Sequence, residues 1–310
     1  MPHSILIIKH SALGDIVLAT ACFKAIRAHH PEAEIVLLTT APYAELLAQS
    51  PYFNEIWVDR RPRWTDRTGI RRLKAMLNSR RWAWVYDLQT SDRSTGYQWL
   101  LRRPWPKISN KSRWTSHGIR IPDALEIPAL ERLRRQLALA GITEIGLPDL
   151  SWMGSAEGEA LAASLPSPYA LLVPGGAAHR PEKRWPADHF AALAQELLAR
   201  GVTPVLIGTE AEREALDRIA ARVPASIHLG GKTKLPMLAS LARQAALAIG
   251  NDTGPMHILA ASGCPSLVLF GPASSPIRSA PIGPAVRTLA SADLSALAVD
   301  TALAAALQVG

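Results

Sequence analysis

Apolar residues along this chain fall into two alternating patterns. Short unbroken runs rich in Ile, Val and Leu are each followed by a longer stretch with apolar residues three and four positions apart. Ser4–Lys9, Glu34–Thr39, Glu55–Val58 and Ala83–Leu88 are runs of the first kind. A strand that is apolar at successive positions is covered on both faces, as in a parallel sheet. Between them, Asp15–His29 carries Ile16, Ala19, Phe23 and Ile26 at helical spacing and stops before Pro31. Pro42–Gln49 and Thr68–Asn78 read as helices in the same way. From Thr90 to Pro128 prolines and arginines break the rhythm. The pattern there predicts a helix near Ser94–Leu101, a short strand at Lys107–Ser109 and then loop, before an amphipathic helix over Ile127–Ala140.

After a turn-rich linker over Pro148–Pro168 the rhythm returns. It predicts strands at Tyr169–Val173, Thr203–Ile207, Ser226–Leu229, Leu247–Ile249 and Ser266–Phe270. Helices fall at Asp188–Arg200, Ala211–Arg222, Pro236–Gln244 and Pro255–Ser262. Strands alternating with helices mean parallel sheets covered on both sides. The expectation is an α/β protein of two Rossmann-like αβα domains, residues 1–160 and 161–290. A final Ala/Leu-rich helix within 291–310 is expected to pack back on the first domain.

Composition narrows this picture. At 310 residues with 48% hydrophobic and 19% charged residues, the chain can build two cores and is not a disordered polyelectrolyte. Two distant cysteines, Cys22 and Cys264, fit a reducing compartment without a disulfide framework, and neither belongs to a Cys/His cluster. The first residues lead straight into a strand without a basic or cleavable leader. No apolar stretch is long enough to span a bilayer. A cytoplasmic protein is expected. Charge is unevenly placed. Between Arg60 and Arg135 there are 19 Lys and Arg against 6 Asp and Glu, whereas the rest of the chain holds 15 against 20. Seven of the nine tryptophans lie between Trp57 and Trp114. A basic, aromatic first half suits an anionic partner, a membrane interface or a stacked sugar. A solvated basic face over ordinary core tryptophans would look the same.

In open parallel sheets ligands bind beyond the carboxyl ends of the strands, so four junctions carry the candidate chemistry. After the first strand come Ser11, Gly14 and Asp15; Asp15 stands at a helix start, where it can cap the helix or act as a general base. After Val173 come Gly175 and Gly176, then Lys183, placed to neutralise phosphate. After Ile207 come Glu210 and Glu212, either of which can accept hydrogen bonds from ribose hydroxyls or simply begin a helix. After Ile249 the run Asn251, Asp252, Thr253, Gly254, Pro255 turns into a helix whose first amides form an anion site. Thr253 can add a hydroxyl, Asp252 can orient the turn, and His257 follows within the helix.

Several near-motifs fail. Gly231-Lys232-Thr233 lacks the upstream glycine of a phosphate-binding P-loop. Asp252-Thr253-Gly254 has no second copy, as an aspartic protease would require. The first loop lacks G-x-G-x-x-G, and the second strand ends in Thr39 and Thr40 instead of an acid, both against a dinucleotide oxidoreductase.

The ordered set K-H-S-A-L-G-D over Lys9–Asp15, P-G-G over Pro174–Gly176 with K-R-W-P over Lys183–Pro186, L-G-G-K-T over Leu229–Thr233, and G-N-D-T-G-P-M-H over Gly250–His257 followed by Phe270-Gly271-Pro272 resembles the bacterial ADP-heptose:lipopolysaccharide heptosyltransferases of glycosyltransferase family 9. The resemblance implies the GT-B fold, its two domains facing across a cleft, and inverting transfer without metal or cofactor. It makes Asp15 the base. Lys183, Thr253 and the amides around Gly254 would hold the leaving diphosphate, with Gly175, Gly176, Asp252 and His257 beside it and Glu212 on the ribose. Ser11, Gly14, Lys111 and Arg113 would lie on the acceptor side. The implied donor is ADP-heptose, and the implied acceptor an anionic glycolipid, the lipopolysaccharide core, met at the inner face of the plasma membrane. Nucleic acid is not an expected partner. Ala177 and Ala178 depart from the family pattern, which has hydroxyl residues there in some members, so the donor sugar is less constrained than the reaction class. A noncatalytic nucleotide-sugar-binding protein and a sugar-nucleotide epimerase are the competing readings.

Overall fold

The computed structural model describes residues 3–120, 126–176 and 181–309. The chain divides into two compact units, Met1–Gly146 and Leu147–Gly310.

In the first unit, β1 (Ser4–Ile8), β2 (Glu34–Thr39), β3 (Glu55–Val58), β4 (Trp82–Asp87), β5 (Lys107–Asn110) and β6 (His117–Gly118) form one parallel sheet in the order β3-β2-β1-β4-β5-β6. Its helices are α1 (Leu13–His29), α2 (Ala41–Leu46), α3 (Arg67–Leu77), α4 (Asp92–Gly96) and α5 (Ala129–Ala138). Ile5, Leu6, Ile7 and Ile8 are all buried, because β1 lies between β2 and β4 and is covered on both faces. Leu73 and Leu77 of α3 pack with Leu6, Ile8, Val36 and Leu38 on one side of the sheet, while α1 packs against α5.

The second unit repeats the plan. Here α6 (Ala156–Ser164) precedes β7 (Tyr169–Val173). Then follow α7 (Ala187–Ala199), β8 (Thr203–Leu206), α8 (Arg213–Arg222), β9 (Ile227–His228), α9 (Leu235–Gln244), β10 (Leu247–Asn251), α10 (Gly254–Ala261), β11 (Ser266–Phe270), α11 (Pro276–Ser279), β12 (Val286–Ala290) and α12 (Val299–Ala306). The parallel strand order is β12-β11-β10-β7-β8-β9. Counted from the first strand of each unit, both sheets have the same order, and the α/β expectation holds in both.

Two boundaries differ from expectation. The first unit ends at Gly146, not near residue 160. The reason is that Arg243 of α9 donates to the carbonyls of Leu150 and Met153, Ser155 N donates to Ser240 Oγ at 3.2 Å, and α6 packs on α9. The C-terminal helix α12, expected on the first unit, packs in the core of the second. Its Ala302, Leu303 and Ala306 share a core with Phe190, Leu193 and Leu197 of α7. Strand β12, at the sheet edge, was not expected from the sequence; Arg287 and Thr288 interrupt its apolar run and are exposed. Cys22 and Cys264 are both buried and free, and burial pushes both thiols up to about 12.

Candidate active site

In the first unit β1 and β4 are neighbours, yet β1 leads through α1 to β2 on one side and β4 leads on to β5 on the other. The loops after the two strands therefore part, which is where a doubly wound sheet opens a crevice. The loop after β1 is held down along its length. Gln89 Oε1 accepts from the amides of His10 (2.9 Å) and Ser11 (3.2 Å), and Thr40 Oγ1 donates to His10 O. Buried His10 approaches Asp59 Oδ2 through Nε2 at 3.0 Å, and Tyr97 donates to the same oxygen at 2.5 Å. Burial works to raise the Asp59 carboxyl, but the bonds from His10, Tyr97 and the Arg61 amide hold it below its ordinary range.

Asp15 stands at the third position of α1. The Ala12 amide donates to its Oδ2 at 3.3 Å, and the side chain is exposed. The two readings of this residue are compatible: one oxygen caps the helix and the other remains open. The turn after β4 is pinned by Asp87, whose Oδ1 accepts from Gln89 N and Thr90 N at 3.1 Å each. That turn holds Thr90 at φ +49°, a conformation a β-branched residue rarely adopts and one that costs roughly 1–3 kcal/mol. Full burial pushes the Asp87 carboxyl up to about 6.

A cavity of about 450 Å³ opens at these loops, lined among others by Lys9, Asp15, Gln89, Lys111, Arg120 and Arg132. Of the expected acceptor-side residues, the structure brings Lys111 here with Asp15; its ammonium is paired with Asp92 at 2.6 Å. Ser11, in the loop after β1, and Gly14, in the first turn of α1, do not line the cavity. Arg113 does not line it either, its guanidinium lying 4.6 Å over the Trp114 ring. Sequence reasoning missed Lys9, Gln89, Arg132 and Gln136. Gln136 had a signal: it shares the buried face of α5 with Leu130, Leu133 and Leu137, and its amide donates to Asp87 O (3.0 Å) and Ser109 O (3.1 Å).

The second unit has the matching crevice between β7 and β10. Asn251, fully buried at the end of β10, ties three segments together. Its Nδ2 donates to Pro174 O (2.8 Å) and Gly175 O (3.2 Å), and its Oδ1 accepts from Trp185 N (3.0 Å). This residue too was missed. Lys183 and Asp252 form a largely buried ion pair at 3.0 Å, their side chains 14% and 10% exposed. Thr253 caps α10 by backbone position without spending its hydroxyl on the helix, and Gly254 is the first helical residue. His257 is buried on the same helix. Geometry separates the two glutamates. Glu210 is taken in a two-pronged ion pair with Arg213, at 2.6 Å for both bonds. Glu212 accepts from Thr209 N at 2.8 Å and lies against Gly175, where an added Cβ would come within 2.9 Å of Glu212 Cγ. Gly176 is covered by Arg184, which donates to its carbonyl at 2.7 Å. Ala177 and Ala178 lie outside the described residues. Among the described residues no group of three or more His, Cys, Asp or Glu is placed to hold a metal ion, and no helix is long and apolar enough to cross a membrane.

Residues 70–301 match the family model of glycosyltransferase family 9 (heptosyltransferase), covering both crevices except the loop after β1. The chain belongs to glycosyltransferase family 9. It is a glycosyltransferase with the α/β architecture of the GT-B heptosyltransferases. The transferase is 29% identical over 312 residues to lipopolysaccharide heptosyltransferase 2 of Escherichia coli K12, covering 92% of this chain and 87% of that protein. Among solved structures it is similar to the ADP-heptose lipopolysaccharide heptosyltransferase II of E. coli (TM-score 0.78, 26% identity, 98% of this chain and 99% of that one). A family 9 glycosyl transferase from Veillonella parvula shares the fold (TM-score 0.85, 21% identity, 98% and 96% covered).

Proposed function

We propose that this transferase moves heptose from ADP-heptose to a hydroxyl of the lipopolysaccharide core, with inversion at the anomeric carbon and Asp15 as general base. The observation that carries the reading is the exposed Asp15 carboxylate on the wall of a cavity lined by cations. The names of the similar E. coli proteins support the choice of donor and acceptor. In the reaction the acceptor oxygen attacks the anomeric carbon while its proton passes to Asp15. The bond from that carbon to the diphosphate oxygen breaks, and ADP leaves. Negative charge grows on the departing diphosphate, and groups aimed at it lower the barrier. Lys183, steered by its pairing with Asp252, the Thr253 hydroxyl and the first-turn amides of α10 supply that charge stabilisation. No metal or cofactor has a part in this scheme. Gly175 and Gly176 allow the backbone to approach the donor, Glu212 receives the ribose hydroxyls, and His257 supports the phosphate turn from within α10.

The acceptor is an anionic glycolipid, and the first unit suits its membrane. Trp64, Trp99 and Trp114 are each at least half exposed, and Arg93 and Arg113 lie over the Trp64 and Trp114 rings. Indole rings beside guanidinium groups favour the headgroup layer of an anionic leaflet, so the enzyme works peripherally at the inner membrane face.

The test is ADP release from ADP-heptose with and without heptose-deficient lipopolysaccharide core, for the wild type and Asp15→Asn. Acceptor-dependent release that falls by ~10²–10⁴ in the variant, with ADP binding unchanged, is the expected result. Release that ignores the acceptor, or that survives the substitution, would sink the assignment.

A further inference from the structure

The stretch that carries Asp15 out of the first sheet has little to hold it from inside the protein. Of residues 10–15 only His10 is buried; Ser11, Leu13 and Gly14 are half-buried, and Ala12 and Asp15 are exposed. The ties that its backbone makes to other loops, from His10 N and Ser11 N to Gln89 and from Thr40 Oγ1 to His10 O, all sit at its first two residues. Within residues 10–15, His10 is therefore the one side chain that anchors the loop in the interior.

Its ring is oriented from two sides. Nε2 lies 3.0 Å from Asp59 Oδ2, and the Tyr97 ring packs edge-on with centroids 6.0 Å apart. Asp59 is itself fixed: its amide donates to Thr39 O at 2.7 Å, its Oδ1 accepts from Arg61 N at 2.7 Å, and Tyr97 donates to Oδ2. Arg93 Nε donates to the Tyr97 hydroxyl at 2.9 Å and ends the chain of contacts on a cation. His10 is 1% exposed and Asp59 3%. Burying such groups costs hydration, and apolar residues of similar volume often hold a fold as well or better. What a network of directional contacts adds is a single defined position for its members. None of His10, Asp59 and Tyr97 lines the cavity that Asp15 lines, so their effect on the reaction passes through the loop.

We propose that His10, held by Asp59 and Tyr97, is a positioning residue for Asp15: it sets where the loop leaves β1 and so where the Asp15 carboxylate meets the acceptor hydroxyl. This inference rests on the role of Asp15 proposed above and deepens it. The path is short. The Ala12 amide, two residues after His10, donates to Asp15 Oδ2 at 3.3 Å, so a displaced loop moves the donor that orients the carboxylate. A misplacement of about 1 Å at reacting groups can cost about a hundredfold in rate with the fold intact.

The experiment compares His10→Leu, which removes the polar contact to Asp59, with His10→Gln, which keeps an N–H able to reach it, and with Asp59→Asn, which disturbs the contact from its other end. Steady-state rates are measured with ADP-heptose and heptose-deficient core oligosaccharide, ADP affinity by calorimetric titration, stability by the thermal midpoint, and loop position by the Ala12 amide resonance in protein carrying nitrogen-labelled alanine. In His10→Leu and Asp59→Asn, kcat should fall about tenfold or more, and their combination should be no slower than His10→Leu alone. Acceptor KM and ADP affinity should stay within about twofold, as expected when substrate binding is untouched. The Ala12 resonance should move in His10→Leu, and His10→Gln should recover most of the rate. A role confined to the fold would lower the midpoint and leave the rate per folded molecule intact; that result, or a His10→Gln as slow as His10→Leu, would overturn the proposal. Should His10→Leu not fold, the isosteric Asp59→Asn carries the same comparison. Asp15→Asn, measured alongside, keeps the two readings apart. An inactive Asp15→Asn beside a fully active His10→Leu leaves Asp15 as the base and removes the positioning role. An active Asp15→Asn removes the base assignment, whereas an Ala12 resonance that moves in His10→Leu and returns in His10→Gln still upholds His10 as the anchor of the loop, and one that does not move overturns it.

Discussion

Asp87 offers a test of the physical account of the first crevice. Its carboxyl is about 1% exposed and is pushed up to about 6 by burial, against roughly 3.9 for an unperturbed Asp. A carboxyl with a raised folded-state pKa binds its proton more tightly in the folded protein. The stabilisation this gives is complete below about pH 4 and is lost as pH rises through about 6. A displacement of roughly two units is worth roughly 3 kcal/mol, which the ionised Asp87 subtracts from stability at neutral pH. Asp87→Asn removes the charge and keeps the geometry. Both amide bonds, from Gln89 and Thr90, go to Oδ1, which an Asn also has, and the new Nδ2 would face Thr95 Oγ1, now 3.4 Å from Oδ2. The variant should be more stable than the wild type by roughly 2–3 kcal/mol at pH 7.5 and nearly equal to it at pH 4. Urea unfolding followed by tryptophan fluorescence reads mainly the first unit, since seven of the nine tryptophans lie between Trp57 and Trp114. With a slope near 2 kcal/mol per molar, the midpoint should move up by about 1 M at pH 7.5. A midpoint difference that is the same at both pH values, or a wild type more stable at pH 7.5, would refute the reasoning.

Two further predictions concern the second unit. Asn251→Ala strands the Pro174 and Gly175 carbonyls and the Trp185 amide, all bonded to that side chain; at roughly 1 kcal/mol or more per stranded group, scanning calorimetry should record a loss of about 3 kcal/mol, and ADP titration a weaker complex. Lys183→Ala and Asp252→Asn should each raise the ADP dissociation constant about tenfold or more. The double variant should be less than additive, with a coupling of roughly 0.5–3 kcal/mol, and additive effects in the same titrations would show that the 3.0 Å pair does not act as a unit.

Much of the fold could be read from the chain because the central strands are covered on both faces and leave unbroken apolar runs, as in β1 and β2. Edge elements left weaker traces. Strand β6 has two residues, and in β12 the half-buried Val286 and Leu289 are separated by exposed Arg287 and Thr288, which leaves no apolar run. Asp15, Lys183 and Asp252 were legible because each follows a recognisable strand end. Lys9 and Asn251 were not, because their roles come from partners 79 and 77 positions away, Leu88 and Pro174. No local pattern encodes such pairings. The choice between Glu210 and Glu212 was likewise open until the Arg213 pairing and the contact with Gly175 were known. The packing of the C-terminal helix in the second unit's core is not legible in the sequence, because an Ala/Leu-rich face fits many surfaces. What distinguishes them is the particular groove formed by α7 and β12.

The shared strand order of the two sheets has a bearing on how such an enzyme can change. Each half owns a complete crevice made from its own first and fourth strands, supported by polar ties that do not leave that half: Gln89 and Gln136 in one, Asn251 in the other. Under the function proposed above, substitutions that retarget the acceptor are expected before residue 147 and those that retarget the nucleotide sugar after it. Selection can work on one specificity while the other drifts or stands still. A lineage can inherit the two by separate routes, including recombination at the short connection between Gly146 and Leu147.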